Sequence, residues 1–182
     1  FAELIRDAEK IAVDMPIGLP ERITPGGRGP ERLVRPLIGE RQSSVFSVPS
    51  RAAVACKDYA EACRAAFATS DPPRRVSKQC FFLFPKIREI DALMRADPSL
   101  GARVFEVHPE VAFWRIAGDK ALALPKKVKS RPHPPGLDLR RGLLVAAGFP
   151  PAFLAEVPRG AGPDDLLDVA VNALIARRLH AG

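Results

Sequence analysis

Two short apolar runs, Ile11-Ala-Val-Asp14 and Arg103-Val-Phe-Glu-Val107, read as buried strands, and each is stopped abruptly. Met15-Pro-Ile-Gly-Leu-Pro20 follows the first. Pro16 has no amide to donate to a ladder and Gly18 tolerates turn geometry, so the strand cannot continue. His108-Pro109 ends the second in the same way. Around the two runs lie about seven helical stretches, judged by apolar spacing. An isolated strand pair is marginal in water, and buried strands need neighbours. The expected fold is therefore α/β, with a partial, mostly parallel sheet whose other strands lie outside this chain or come from another subunit. The chain begins at Phe1 without a basic-then-apolar leader, which predicts missing upstream strands and no secretory signal.

The predicted helices are the last turns of one over 1–9 (Phe1, Leu4, Ile5 and Ala8 on one side), then 30–39, 51–68 and 77–96, the last kinked at Pro85. Others follow over 109–117, 136–147, 150–156 and 163–179, with Ser50 and Ser77 as N-caps and Pro163 in a first turn. The two strands are expected to be parallel neighbours, with residues 15–102 as a helical and irregular insertion inside one domain spanning 1–182.

Charge and composition narrow the function classes. Hydrophobic residues make up 47 % and charged residues 27 % of the 182, which predicts a packed core rather than disorder. No apolar run approaches the roughly 18 residues of a membrane span, and the expected location is the cytoplasm. The formal charge of +7 favours a polyanionic partner, nucleic acid above all. Cys56, Cys63 and Cys80 form no C-x-x-C and read as small core residues, with Cys56 and Cys63 on one helix face. Phosphate-loop, dinucleotide, hydrolase-elbow and zincin motifs are absent.

The chemistry-bearing residues are acidic. Asp14 ends the first strand, Glu106 lies in the second and Glu110 just beyond it, while Asp164, Asp165 and Asp168 open the last helix. Asp164 and Asp165 suit the positive end of that helix. Asp168 sits a turn further in among apolar residues and needs a partner. Ligand sites in open α/β sheets lie beyond the carboxyl ends of the strands, where these acids can meet. Clustered carboxylates repel unless protons or cations intervene, and hard oxygen ligands suit Mg²⁺ or Mn²⁺. Asp165 and Asp168 are expected to face Asp14, with Leu167, Ala170, Val171 and Leu174 packed on the sheet.

At this point several blocks carry a resemblance. Ile11-Ala-Val-Asp-Met-Pro-Ile-Gly-Leu-Pro20 resembles the VDxPIGLP signature of a domain-of-unknown-function family described as predicted RNase H-like nucleases. Gly39-Glu-Arg-Gln-Ser-Ser-Val-Phe46, Ser77-Lys-Gln79, Pro85-Lys-Ile-Arg-Glu-Ile-Asp91, Phe105-Glu-Val-His-Pro-Glu110 and Asp164-Asp-Leu-Leu-Asp-Val-Ala-Val-Asn-Ala173 are similar to its further blocks, in order. The family's opening G-x-D-G strand has no counterpart, and Val169 stands where Ala is usual. The resemblance implies a ribonuclease H-like fold related to Holliday-junction resolvases. It implies Asp14, Glu106, Asp165 and Asp168 as the acids that hold Mg²⁺ or Mn²⁺.

The expected activity is metal-dependent hydrolysis of phosphodiester bonds, by the mechanism in which two ions about 4 Å apart activate water and stabilise the leaving oxygen. Arg41, Ser43, Lys86 and His108 are candidate substrate contacts, each with a structural reading beside it: loop ordering for Arg41 and Ser43, a solvated lysine, a turn histidine. Phe81, Phe82, Phe84, Phe105, Phe113 and Trp114 read as core. Two other classes fit the same residues: a non-catalytic nucleic-acid-binding or scaffold protein, and an enzyme acting on a small phosphorylated substrate.

Overall fold

The computed structural model describes Glu3 and residues 5–182, which form a mixed α/β structure, mostly helical, with a small parallel sheet. Strand β1 (Ile11–Val13) lies parallel to β2 (Val104–Glu106), with Ile11 opposite Val104 and Val13 opposite Glu106. Both strands therefore end at the same sheet edge. Among the described residues this sheet has two strands, the parallel pair expected from the sequence. The expected helix over 1–9 is not seen where it can be assessed: residues 5–7 form turns, and Phe1, Ala2 and Leu4 lie outside the described residues.

The chain between the strands carries α1 (Gly29–Val34), a 3-10 segment over Arg35–Ser44, α2 (Arg51–Ala55), α3 (Tyr59–Ala68) and α4 (Lys78–Ala96). The helix expected over 51–68 is two helices. Cys56 turns extended, and Asp58 accepts a bond from Glu61 N at 2.9 Å, capping a new start. Cys56 thus lies between the two helices and Cys63 on α3, so they do not share one helix face. Ser50 and Ser77 cap α2 and α4 as the sequence predicts.

After β2 come α5 (Pro109–Ile116), a hairpin of β3 (Lys127–Val128) and β4 (Arg131–Pro132), then α6 (Pro134–Ala146), α7 (Pro151–Ala155) and α8 (Pro163–Ala181). The hairpin falls in the basic, Pro-rich stretch that carried no strand expectation.

Three apolar clusters hold these parts. Leu19, Val54, Ala62, Phe84 and Ile87 form the core of the 15–102 insertion. Phe113, Leu137, Leu144, Leu154, Leu167 and Val171 join α5 through α8. Val104 packs with Ile5 and Leu100 beneath the sheet. Leu167, Ala170, Val171 and Leu174 are all buried, as the helix period requires. Phe84 and Phe113 are core, but Phe82 is 75 % exposed, because α4 turns that face outward.

Candidate functional site

The parallel pairing sets the site. Because β1 and β2 end together, Asp14 and the segment Glu106–Glu110 emerge at one edge of the sheet. A cavity of about 430 Å³ opens there, between the insertion and the α5–α8 layer. Asp14, Glu106, His108, Glu110, Lys126 and Asp164 are among its lining residues.

The acids at this edge differ in how their charge is met. Glu106 is held by Arg28: NH2 to Oε1 is 2.6 Å and NH1 to Oε2 is 3.1 Å. Oε2 also accepts the Ile17 amide at 2.9 Å. Arg28 and its second partner Glu31 are buried, and Glu31 Oε1 takes bonds from Arg28 Nε at 2.9 Å and Val48 N at 3.1 Å. Burial alone would lower the Arg28 pKa, but hydrogen bonding and charge from Glu106 and then Glu31 hold it above its usual value. Gly27 makes this clamp possible, since its φ is +91° and a Cβ there would meet Glu31 Oε2 at 2.5 Å.

Glu110 is likewise taken. Arg140, fully buried, donates NH2 to both of its carboxylate oxygens at 2.7 Å and NH1 to the Leu124 and Gly136 carbonyls at 2.9 and 2.8 Å. Asp164, also buried, pairs with Lys127 Nζ at 2.7 Å.

Asp165 does not turn toward Asp14. It is exposed, and its Oδ2 accepts the Gly162 amide at 2.8 Å at the start of α8. The spacing from Asp168 is right, but position three of a helix lets a carboxylate reach back to the cap amide.

Asp168 and Asp14 remain. The Asp168 side chain is 16 % exposed. One of its oxygens, Oδ2, pairs with Lys126 Nζ, while Oδ1 is buried without a hydrogen-bond partner among the described residues. Burial pushes its pKa up to about 6; Lys126 opposes this by charge and hydrogen bond, and the charges of Asp14 and Glu110 add to it. Asp14 is exposed at the cavity mouth, yet the atoms packed behind it raise its pKa; His108 and Lys126 oppose the rise and Glu106 adds to it. Water at the mouth screens that effect.

His108 Nε2 lies 3.2 Å from the Ser44 carbonyl, which can only accept, so Nε2 carries the proton. Its Nδ1 is buried and without a partner among the described residues. Ser43 lines the cavity with Ser44. Arg41 does not; its guanidinium meets Glu40 at 3.1 Å. Lys86 is exposed and is not among the residues that line the cavity. Sequence reasoning missed Arg28, Lys126, Lys127 and Arg140 as partners of the acids. The signal present was their basic character, without any indication of which acid each reaches.

Among the described residues no three His, Cys, Asp or Glu side chains are grouped to hold a metal ion. The four acids expected from the sequence are not gathered into one cluster. Asp14 and Asp168 do fit a hard cation. The charge of Asp14 adds to the rise in the Asp168 pKa, Asp168 Oδ1 is a buried oxygen lacking a donor, and Mg²⁺ is commonly held by one or two carboxylates with water and phosphate oxygens completing its shell.

No helix among the described residues is long and apolar enough to cross a membrane. No curated protein and no solved structure matches the chain. The family model described as "Protein of unknown function (DUF429)" matches residues 1–182, and the chain belongs to that family.

Proposed function

We propose that this chain is a phosphodiester hydrolase acting on nucleic acid, of ribonuclease H-like kind, and that it depends on Mg²⁺ or Mn²⁺. The observation that supports this best is that α8 packs on β1 and brings Asp168 within reach of the charge of Asp14 at the carboxyl edge of two parallel strands, where His108, Lys126 and Lys127 line the cavity. Asp14 and Asp168 would hold the metal, which supplies polarisation of the phosphoryl oxygen and a more acidic bound water. Lys126 and Lys127 present their ammonium groups to the phosphate oxygens. His108 lines the same cavity, its Nε2 held by the Ser44 carbonyl, and its ring fixes the wall beside Asp14. Glu106 and Glu110, each neutralised by an arginine, shape the cavity wall and leave the open charge to Asp14 and Asp168.

The test is cleavage of labelled single-stranded, branched and hybrid substrates in Mg²⁺ or Mn²⁺. Asp14→Asn and Asp168→Asn should each abolish turnover. Metal-dependent cleavage that survives both together overturns the proposal. A second reading is favoured by one contact: Lys126 already neutralises Asp168, as a non-catalytic nucleic-acid-binding protein of the same fold would allow. Salt-dependent binding with no cleavage in any divalent metal selects it.

A further inference from the structure

Part of the cavity's lining is not explained by phosphate chemistry. Beside the acids and lysines, its lining includes Met15, Val45, Phe46 and Leu83, drawn from the loop after β1, the end of the 3-10 segment and α4. All but Val45 are only partly buried, so apolar surface faces the cavity. Gln79 lies one turn before Leu83 on α4, and residues four apart share a helix face. Gln79 lines the same cavity, is exposed, and its amide makes no hydrogen bond among the described residues. A side-chain amide offers a donor and an acceptor side by side, the arrangement that pairs with a base edge.

Lysines, apolar side chains and one free amide in a single lining call for a ligand that is itself mixed. It must carry a negative group and, a short reach away, a flat apolar body with polar edges. The volume of about 430 Å³ sits at the lower end of the range for small-ligand clefts, roughly 300–1,000 Å³. That is room for one nucleotide unit and not for a paired duplex.

We propose that the cavity receives a single unpaired nucleotide of the substrate. Its phosphate lies at Lys126 and Lys127, its base lies against Met15, Phe46 and Leu83, and the base edge meets the Gln79 amide. This rests on the phosphodiesterase reading for the role of the acidic end. The substrate is then a single strand, an end, or a base turned out of its stack, for which unpairing costs a few kcal/mol in a duplex and nothing in a free strand.

Calorimetric titration of the four nucleoside 5′-monophosphates and of ribose 5-phosphate, all in Mg²⁺, tests the proposal without any turnover. Nucleotides should bind at least about tenfold tighter than ribose 5-phosphate. Gln79→Ala should narrow the spread of affinity among the four bases. Phe46→Ala should bring nucleotide affinity toward that of ribose 5-phosphate and leave the latter unchanged. Circular dichroism checks that both variants are folded, and Gln79 is exposed and tolerant of truncation. Equal binding of ribose 5-phosphate and nucleotides, or no binding of nucleotides at millimolar concentration, overturns the proposal. Cleavage of an abasic strand as fast as a normal one overturns it and leaves the hydrolase reading standing. Base-dependent nucleotide binding with no cleavage of any polymer supports it and overturns the hydrolase reading.

Discussion

Replacing Arg140 by Met keeps most of the side-chain volume and removes the charge. The guanidinium is fully buried, lies 5.5 Å from the Phe113 ring centroid, and bonds both Glu110 oxygens and two carbonyls. Without it, the Glu110 carboxylate stays 4 % exposed and has no counter-charge. Breaking one side of a buried ion pair costs about 3–5 kcal/mol, and an orphaned Leu124 carbonyl adds about 1 kcal/mol more. The sum is a large part of the roughly 5–15 kcal/mol that holds a domain folded. Urea unfolding followed by the fluorescence of Trp114, the single tryptophan and the neighbour of Phe113 on α5, reads it directly. With a slope of about 2 kcal/mol per molar urea, the midpoint should fall by about 2–3 M. Arg140→Met combined with Glu110→Leu should return to within about 2 kcal/mol of the parent, because an apolar pair removes the stranded charge. A single variant that loses under about 1 kcal/mol, or a double variant as unstable as the single, refutes the reasoning.

Asp168 gives a pH signature. Its folded pKa of about 6 lies above the ordinary 3.8, so the fold binds the proton more tightly than the unfolded chain. Its contribution to stability is most favourable below pH 3.8 and is lost as pH rises to about 6, by at most about 3 kcal/mol. Asp168→Asn should flatten stability between those limits in urea titrations at stepped pH, and an unchanged slope counts against the burial argument. Mg²⁺ should raise the melting temperature by binding the native state, about 2.7 kcal/mol at a hundredfold excess over Kd. Asp168→Ala should remove that gain in a thermal melt and Asp165→Ala should keep it; equal losses would tie the metal to the α8 cap. Gly136→Ala should destabilise the protein by about 1–3 kcal/mol, since its Cβ would lie 1.8 Å from the Pro125 carbonyl and push Lys126 off Asp168. An unchanged melting temperature refutes that contact.

The parts of the fold legible in the sequence are those set by local chemistry. The strands expected to stop at Asp14 and Val107, ahead of Pro16 and Pro109, end one residue earlier, and Ser50, Ser77 and Pro163 placed three helix starts. Parallel pairing was legible too, because the 15–102 segment supplies the crossover that parallel neighbours need. The break at Cys56 was not. Its signal, Asp58 as a cap, lies inside an Ala-rich run where helix propensity favours continuation. The β3–β4 hairpin was hidden for a different reason. Its two-residue turn, Lys129-Ser130, holds positive φ angles of 47° and 63° without the glycine or asparagine that usually marks such a turn.

The site was legible as a set of acids and illegible as a distribution of charge. Each acid's partner arrives from far along the chain: Arg28 is 78 residues from Glu106, Lys126 is 42 from Asp168 and Arg140 is 30 from Glu110. No spacing rule connects such pairs, since only the folded insertion and the hairpin bring them together. Yet these pairings decide which carboxylates can do chemistry. Arg28 satisfies both oxygens of Glu106 through two nitrogens and Arg140 both oxygens of Glu110 through one, leaving them little reason to take up a metal. A lysine is a point charge on a flexible stem and satisfies one oxygen of Asp168, which leaves Oδ1 without a donor. Asp14 has no hydrogen bond or ion pair among the described residues, and burial already raises its pKa. The arginines therefore fix the frame, the lysine is exchangeable, and the charge still to be met at the sheet edge is that of Asp14. A divalent cation seated there would meet it, and would free Lys126 to turn from Asp168 to a phosphate.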